Sequence, residues 1–116
     1  MAEYNAATNQ QLTDQEFLEA IWDTLEMNTE LVDYLNARYD IIVVSDNYRE
    51  NIQYVAKRFD FASWATRQIY SYDYGVLKEE PAFFERLIKE LPYAPEELTL
   101  IDDSPHKLAA AATVGI

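Results

Sequence analysis

Asp40-Ile41-Ile42-Val43-Val44-Ser45-Asp46-Asn47 decides the fold. Four β-branched residues in succession favour an extended strand, because their stiff side chains pack well on a pleated surface. The run has no polar alternation, so both faces should be covered, as in a parallel sheet flanked by helices. It stops at a hydroxyl, an acid and an amide. A helical pattern follows, with Ile52, Val55, Ala56 and Phe59 on one face. Asp46 or Asn47 is placed to cap that helix.

The same grammar repeats downstream. Gln68 to Tyr72 is a weaker strand candidate, and Leu98-Thr99-Leu100-Ile101 is a third strand. Between them Pro81 opens a helix at the position where its missing N–H costs nothing, and Phe84, Leu87, Ile88 and Leu91 line its apolar face. Ser104 should cap a last helix opened by Pro105 and closed by Gly115. Strands separated by helices predict βαβ units and a three-layer, Rossmann-like α/β fold with a parallel sheet.

Upstream the pattern is helical. Residues 1–12 are polar, without periodicity, and read as a frayed or disordered lead-in. Thr13 and Glu16 have capping-box spacing. Phe17, Leu18, Ile21 and Leu25 then share one helical face. A second short helix starts near Asn28 or Thr29 and carries Leu31, Val32 and Leu35. The expected organisation is therefore lead-in (1–12), helical segment (13–39) and α/β core (40–116).

Composition narrows the function. In 116 residues the formal net charge is −12, which repels nucleic-acid phosphates and anionic membrane surfaces. The absence of cysteine rules out a thiolate zinc site and a cysteine nucleophile. No stretch approaches the roughly 18 apolar residues of a membrane span. The polar start is unlike a signal peptide, so a cytoplasmic protein is expected.

Ligands of open α/β sheets bind beyond the carboxyl ends of the strands. Three polar groups fall there: Ser45-Asp46-Asn47, the Gly75-Val76-Leu77-Lys78 loop, and Asp102-Asp103-Ser104. Ser45 could donate to an anionic oxygen, or it could simply cap the next helix. Adjacent Asp102 and Asp103 suit a hard cation such as Mg²⁺, or both could point to solvent. Lys78 is either a solvated loop lysine or a point charge for a phosphoryl group. His106, the sole histidine, has no partner pattern and reads as a surface residue.

Taken in order, strand–Ser45, Gly75-Val76-Leu77-Lys78 before the Pro81 helix, and Leu98 through Ser104 resemble motifs II, III and IV of the haloacid-dehalogenase-like (HAD) hydrolases. The stretch from Ala94 to Ile116 is most similar to sugar-phosphate phosphatases and the phosphatase domain of soluble epoxide hydrolase. The resemblance makes the helices of 13–39 the remnant of a small cap. It implies that Ser45 and Lys78 are catalytic groups, and that the phosphoryl group of a small phosphorylated metabolite is held by Ser45, Asp46, Asn47 and Lys78. It also implies Mg²⁺ as cofactor, ligated by Asp102, with Asp103 a second ligand or a carboxylate supporting the first. Asp46 between the serine and Asn47, and Lys107 where the subgroup commonly has Asn, depart from the pattern.

One part is missing. The family's nucleophile is the first aspartate of a D-x-D at the end of the first strand, and no D-x-D occurs in this sequence. Asp14-Gln15-Glu16 opens a helix and has no strand before it. The resemblance puts the missing strand centrally, between those carrying Ser45 and Asp102, so the sheet should be incomplete and the chain reads as a segment of a longer enzyme. The alternative is a non-catalytic HAD-like interaction domain, self-associating through open sheet edges. A phosphoacceptor receiver-type domain places its acidic pair first and its lysine last, the reverse of the order here.

Overall fold

The computed structural model describes residues 13, 16, 19, 20, 22, 23 and 25–116. In chain order the elements are α1 (Thr29–Asn36), β1 (Ile42–Ser45), α2 (Arg49–Arg58), α3 (Phe61–Trp64), β2 (Arg67–Tyr70), α4 (Ser71–Tyr74), α5 (Pro81–Glu90), a 3₁₀ turn (Pro95–Glu97) and α6 (Pro105–Ala112). They fall into two compact units. One takes in the described residues up to Ile41 together with Arg49–Thr66; the other is Ile42–Tyr48 with Arg67–Ile116.

In the first unit the Thr13–Glu16 capping box forms. The Thr13 hydroxyl accepts from the Glu16 N–H at 3.2 Å, and the Glu16 carboxylate accepts from the Thr13 N–H at 3.4 Å. The expected apolar face of Phe17, Leu18 and Ile21 lies outside the described residues. Asn28 caps α1 by accepting from the Leu31 N–H at 3.1 Å. Arg58, at the end of α2, gathers the carbonyls of Trp22, Asp23 and Leu25 at 3.1, 3.3 and 2.7 Å. A guanidinium suits this task because its donors form a rigid fork.

The second unit carries the sheet and a core. β1 and β2 pair in parallel, with Ile42 opposite Arg67 and Ser45 opposite Tyr70. Phe83, Phe84 and Leu87 of α5, Ile69 of β2, Leu91, and Ala110 and Ala111 of α6 form the buried cluster, with both phenylalanines fully inaccessible. The small alanines let α6 approach closely, while the α5 rings pack edge to face at 5.1 Å. The helical spacing of α5 selects Phe84, Leu87 and Leu91 as expected, but Phe83 is equally buried.

Several expectations need correction. β2 ends at Tyr70, and Ser71 and Tyr72 begin a helical turn that closes at Gly75 in the left-handed region (φ 74°). Leu98–Ile101 is not a strand, so the sheet is two-stranded rather than three-stranded. The segment keeps strand-like alternation. Leu98 and Leu100 lean on the core, while Ile101 is 66% exposed. A strand needs a neighbour to accept its ladder, and among the described residues no strand pairs with this segment. Among the described residues the arrangement is α/β, a two-stranded parallel sheet accompanied by helices.

The caps differ too. α2 starts at Arg49, which puts the cap position at Tyr48 rather than Asp46 or Asn47. Ser104 occupies the cap position of α6 but makes no capping bond with its side chain. Gly115 closes α6 as expected: at φ 95° it donates to Ala112, and Ile116 donates to Ala111, both at 3.2 Å. These are the two bonds of a Schellman closure. Among the described residues no helix is long and apolar enough to cross a membrane.

Candidate functional site

The site residues expected from sequence converge within the second unit. Lys78 follows α4 and Gly75 in the loop before α5 and is only 6% exposed. A buried ammonium needs acceptors, since desolvation otherwise favours its neutral form. Lys78 Nζ has two: the Val44 carbonyl at 3.2 Å and Asp102 Oδ2 at 2.8 Å. The Ile41 carbonyl faces β2's side, accepting from the Thr66 N–H at 2.7 Å. Carbonyls alternate along a strand, so Val44's faces the opposite edge of β1. Lys78 therefore closes the end of that edge, which no strand among the described residues covers, and joins it to the segment carrying Asp102.

Asp102 is held at both oxygens. Oδ2 meets Lys78, and Oδ1 accepts from the Ser104 N–H at 2.9 Å. Burial pulls its carboxyl upward. The hydrogen bonds from Lys78 and Ser104 and the charges of Lys78 and Lys107 outweigh it, leaving the carboxyl below the ordinary carboxylate value. Asp102 is thus a carboxylate at neutral pH. Asp103 is exposed, next to it in the chain.

Ser45 ends β1. Its hydroxyl oxygen accepts from the Asn47 N–H at 3.3 Å and from Asn47 Nδ2 at 3.1 Å. A hydroxyl has two acceptor positions and one proton. With both acceptors used, what Ser45 can offer a ligand is its O–H. Asn47 thus acts on the serine, and sets it as a donor.

Asp46 is bound on both sides. Oδ1 accepts from the Lys78 backbone N–H at 3.0 Å, and Oδ2 lies 3.1 Å from Lys107 Nζ. Burial draws the Lys107 ammonium downward. The hydrogen bond to Asp46 and the charges of Asp46, Asp102 and Asp103 outweigh it and hold Lys107 above the ordinary lysine value. Sequence reasoning treated Lys107 only as a departure from a pattern. Its signal was available: it sits in the first turn of α6, where the helix dipole disfavours a cation unless carboxylates hold it.

The arrangement is a strand end with a donor hydroxyl, a buried ammonium and nearby carboxylates. A family model described as haloacid dehalogenase-like hydrolase matches residues 3–115. The chain belongs to this family. Neither the curated proteins nor the solved structures contain a match to it.

HAD-like hydrolases typically use Mg²⁺. Among the described residues no three His, Asp or Glu side chains gather as a metal site. Asp102 and Asp103 are two adjacent carboxylates. That donor chemistry fits Mg²⁺, which commonly takes one or two carboxylates and completes its shell with water and phosphate oxygens. Asp102 keeps lone pairs beyond those used by Lys78 and Ser104, since an ionised carboxylate offers about four acceptor positions.

Proposed function

We propose that this HAD-like hydrolase chain provides the phosphoryl-binding half of a phosphatase-type site, for a small phosphorylated metabolite, without supplying the nucleophile. The observation that carries the reading is Lys78: a buried ammonium joining the Val44 carbonyl, one residue before Ser45 at the end of β1, to Asp102. In this reading Ser45 donates its O–H to a phosphoryl oxygen, and Lys78 balances phosphoryl charge. Asn47 keeps the serine oriented, and Asp102 with Asp103 would hold Mg²⁺, which when bound neutralises phosphoryl charge. Phosphoryl transfer depends mostly on such positioning and electrostatics. The sugar-phosphate phosphatase subgroup and an intracellular setting belong to the same proposal.

Charge gives the site a condition. Lys78 and Lys107 face Asp46, Asp102 and Asp103, so the side chains alone carry an excess of one negative charge. A dianion is disfavoured there until a divalent cation reverses the sign. Phosphate and Mg²⁺ therefore assist one another's binding.

The sequence contains no D-x-D, and none of the groups gathered at the site has a nucleophilic role in this reading. Binding without turnover is the expected behaviour. Incubated with Mg²⁺ and p-nitrophenyl phosphate, the pure chain should release no nitrophenol. Release that disappears in Asp102→Asn would show that the chain has a nucleophile after all.

A second reading has its own observation. Among the described residues β1 pairs only with β2, and Ile101 is two-thirds exposed on a segment that joins no ladder there. Unpaired strand edges favour association. A non-catalytic, self-associating domain predicts a dimer or larger species by light scattering, whereas a stable monomer at high concentration counts against it.

A further inference from the structure

The two departures from the family pattern, Asp46 and Lys107, lie against each other. We propose that Asp46 is a positioning residue for Lys78, and that Lys107 orients Asp46. The purpose of this arrangement rests on the phosphoryl-binding reading; the arrangement itself is read from the contacts.

Lys78 is fixed at its backbone N–H and, through Nζ, at the Val44 carbonyl and Asp102. Its backbone N–H donates to Asp46 Oδ1 at 3.0 Å, just past β1, and its Nζ donates to the carbonyl of Val44, two residues earlier and within β1. The loop that carries Lys78 begins at Gly75, whose left-handed backbone (φ 74°) has open space where a Cβ would stand. Gly75 itself is held by its N–H, which donates to the Ser71 carbonyl at 2.9 Å and closes α4. The tie to Asp46 is what registers the loop against the end of β1, so that the lysine enters beside Asp102 rather than running into solvent.

Lys107 explains why Asp46 holds this orientation. A free carboxylate beside Asp102 and Asp103 would turn away from like charge. The Lys107 ammonium at 3.1 Å from Oδ2 holds Asp46 in place and leaves Oδ1 directed at the Lys78 N–H. One carboxylate thus joins the end of β1, the Lys78 loop and the first turn of α6. Asp46 touches no ligand in this account; it acts through Lys78.

The test uses the full chain and two readouts. The first is the Lys78 side-chain ammonium in a ¹H–¹⁵N correlation spectrum, assigned by its disappearance in Lys78→Met, with exchange protection of the Lys78 backbone amide. The second is affinity for inorganic phosphate in the presence of Mg²⁺. Wild type should show a slowly exchanging ammonium; its absence contradicts the ion pair and overturns the proposal. Asp46→Ala should abolish that signal and weaken phosphate by about tenfold or more, the loss of one charge-assisted hydrogen bond. Asp46→Asn keeps an oxygen acceptor for the N–H, so it should retain the signal and most of the affinity. This rescue separates positioning from a general structural loss.

Wild-type signal and affinity in Asp46→Ala overturn the proposal. If Asp46→Ala does not fold, Asp46→Asn decides: ammonium signal and amide protection that stand or fall together sustain it. A retained signal with an unprotected amide overturns it. A wild-type chain with the ammonium signal but no phosphate binding refutes the phosphoryl-site reading alone, and leaves the role of Asp46 to the spectra.

Discussion

Replacing Lys78 with methionine removes the charge while keeping most of the side-chain volume. The pair it breaks has side chains each only 8% exposed, so water screens it little. At 2.8 Å and an effective dielectric constant of about 20, the gross attraction is about 6 kcal/mol, partly cancelled by the cost of burying both charges. What the variant measures is the stranded Asp102, and removing one member of a buried pair costs about 3–5 kcal/mol. With a urea slope of about 1.5 kcal/mol/M, the lower figure moves the unfolding midpoint down by about 2 M. Circular dichroism against urea at pH 7 is the assay. Asp102's carboxyl is held below its ordinary value in the folded chain, so its contribution is present above the unfolded value, about 3.9, and is lost as pH falls through the lower folded one. The deficit of Lys78→Met should accordingly shrink on acidification, as Asp102 takes up a proton in the variant. Lys78→Met with Asp102→Leu should recover most of the loss, because the stranded charge is gone. A midpoint shift under about 0.3 M at pH 7 would refute the reasoning, since that is the scale of an exposed pair.

Other outcomes follow from the same contacts. Phe84→Ala empties a fully buried position and should cost about 3–5 kcal/mol in the same denaturation assay. Gly115→Ala forces a side chain to φ 95° with its Cβ 3.3 Å from Pro95, and should cost about 1–2 kcal/mol. Tyr74 is raised above the ordinary tyrosine value by burial, by donating to Glu90 and by that carboxylate's charge, against Arg86 and Arg67. Its proton stabilises the fold below the unfolded value, near 10, and that contribution fades at higher pH. Absorbance at alkaline pH should show Tyr74 ionising late, and Tyr74→Phe should remove that late step.

What could be read from sequence was local. The β-branched run at Ile41–Val44 announces a strand because each residue separately prefers one, and the structure moves it by a single position. Pro81 and Gly115 mark their helix boundaries through backbone restrictions that act within one turn. Leu98–Ile101 misleads for the opposite reason: its side chains suit a strand, but a ladder requires a neighbour, and local preference does not supply one. Ser71 and Tyr72 likewise turn into α4, although their neighbours extend into β2. At the site, the sequence places Ser45 at a strand end, where β1 does stop, but Asp102 follows a segment that is not a strand and meets Lys78 through a buried ion pair. Asp46's bonds to Lys78 and Lys107 were not legible, because they join residues 32 and 61 positions apart that no periodicity links. Only the misfit of a cation in the first turn of α6 hinted that carboxylates hold it.

Calorimetric titration of the chain with inorganic phosphate, with and without Mg²⁺, tests the central claim most directly. A phosphoryl site built around Lys78 predicts one saturable binding event that needs Mg²⁺ and is weakened by about tenfold or more in Lys78→Met. No binding in wild type, or equal binding in wild type and Lys78→Met, would contradict it.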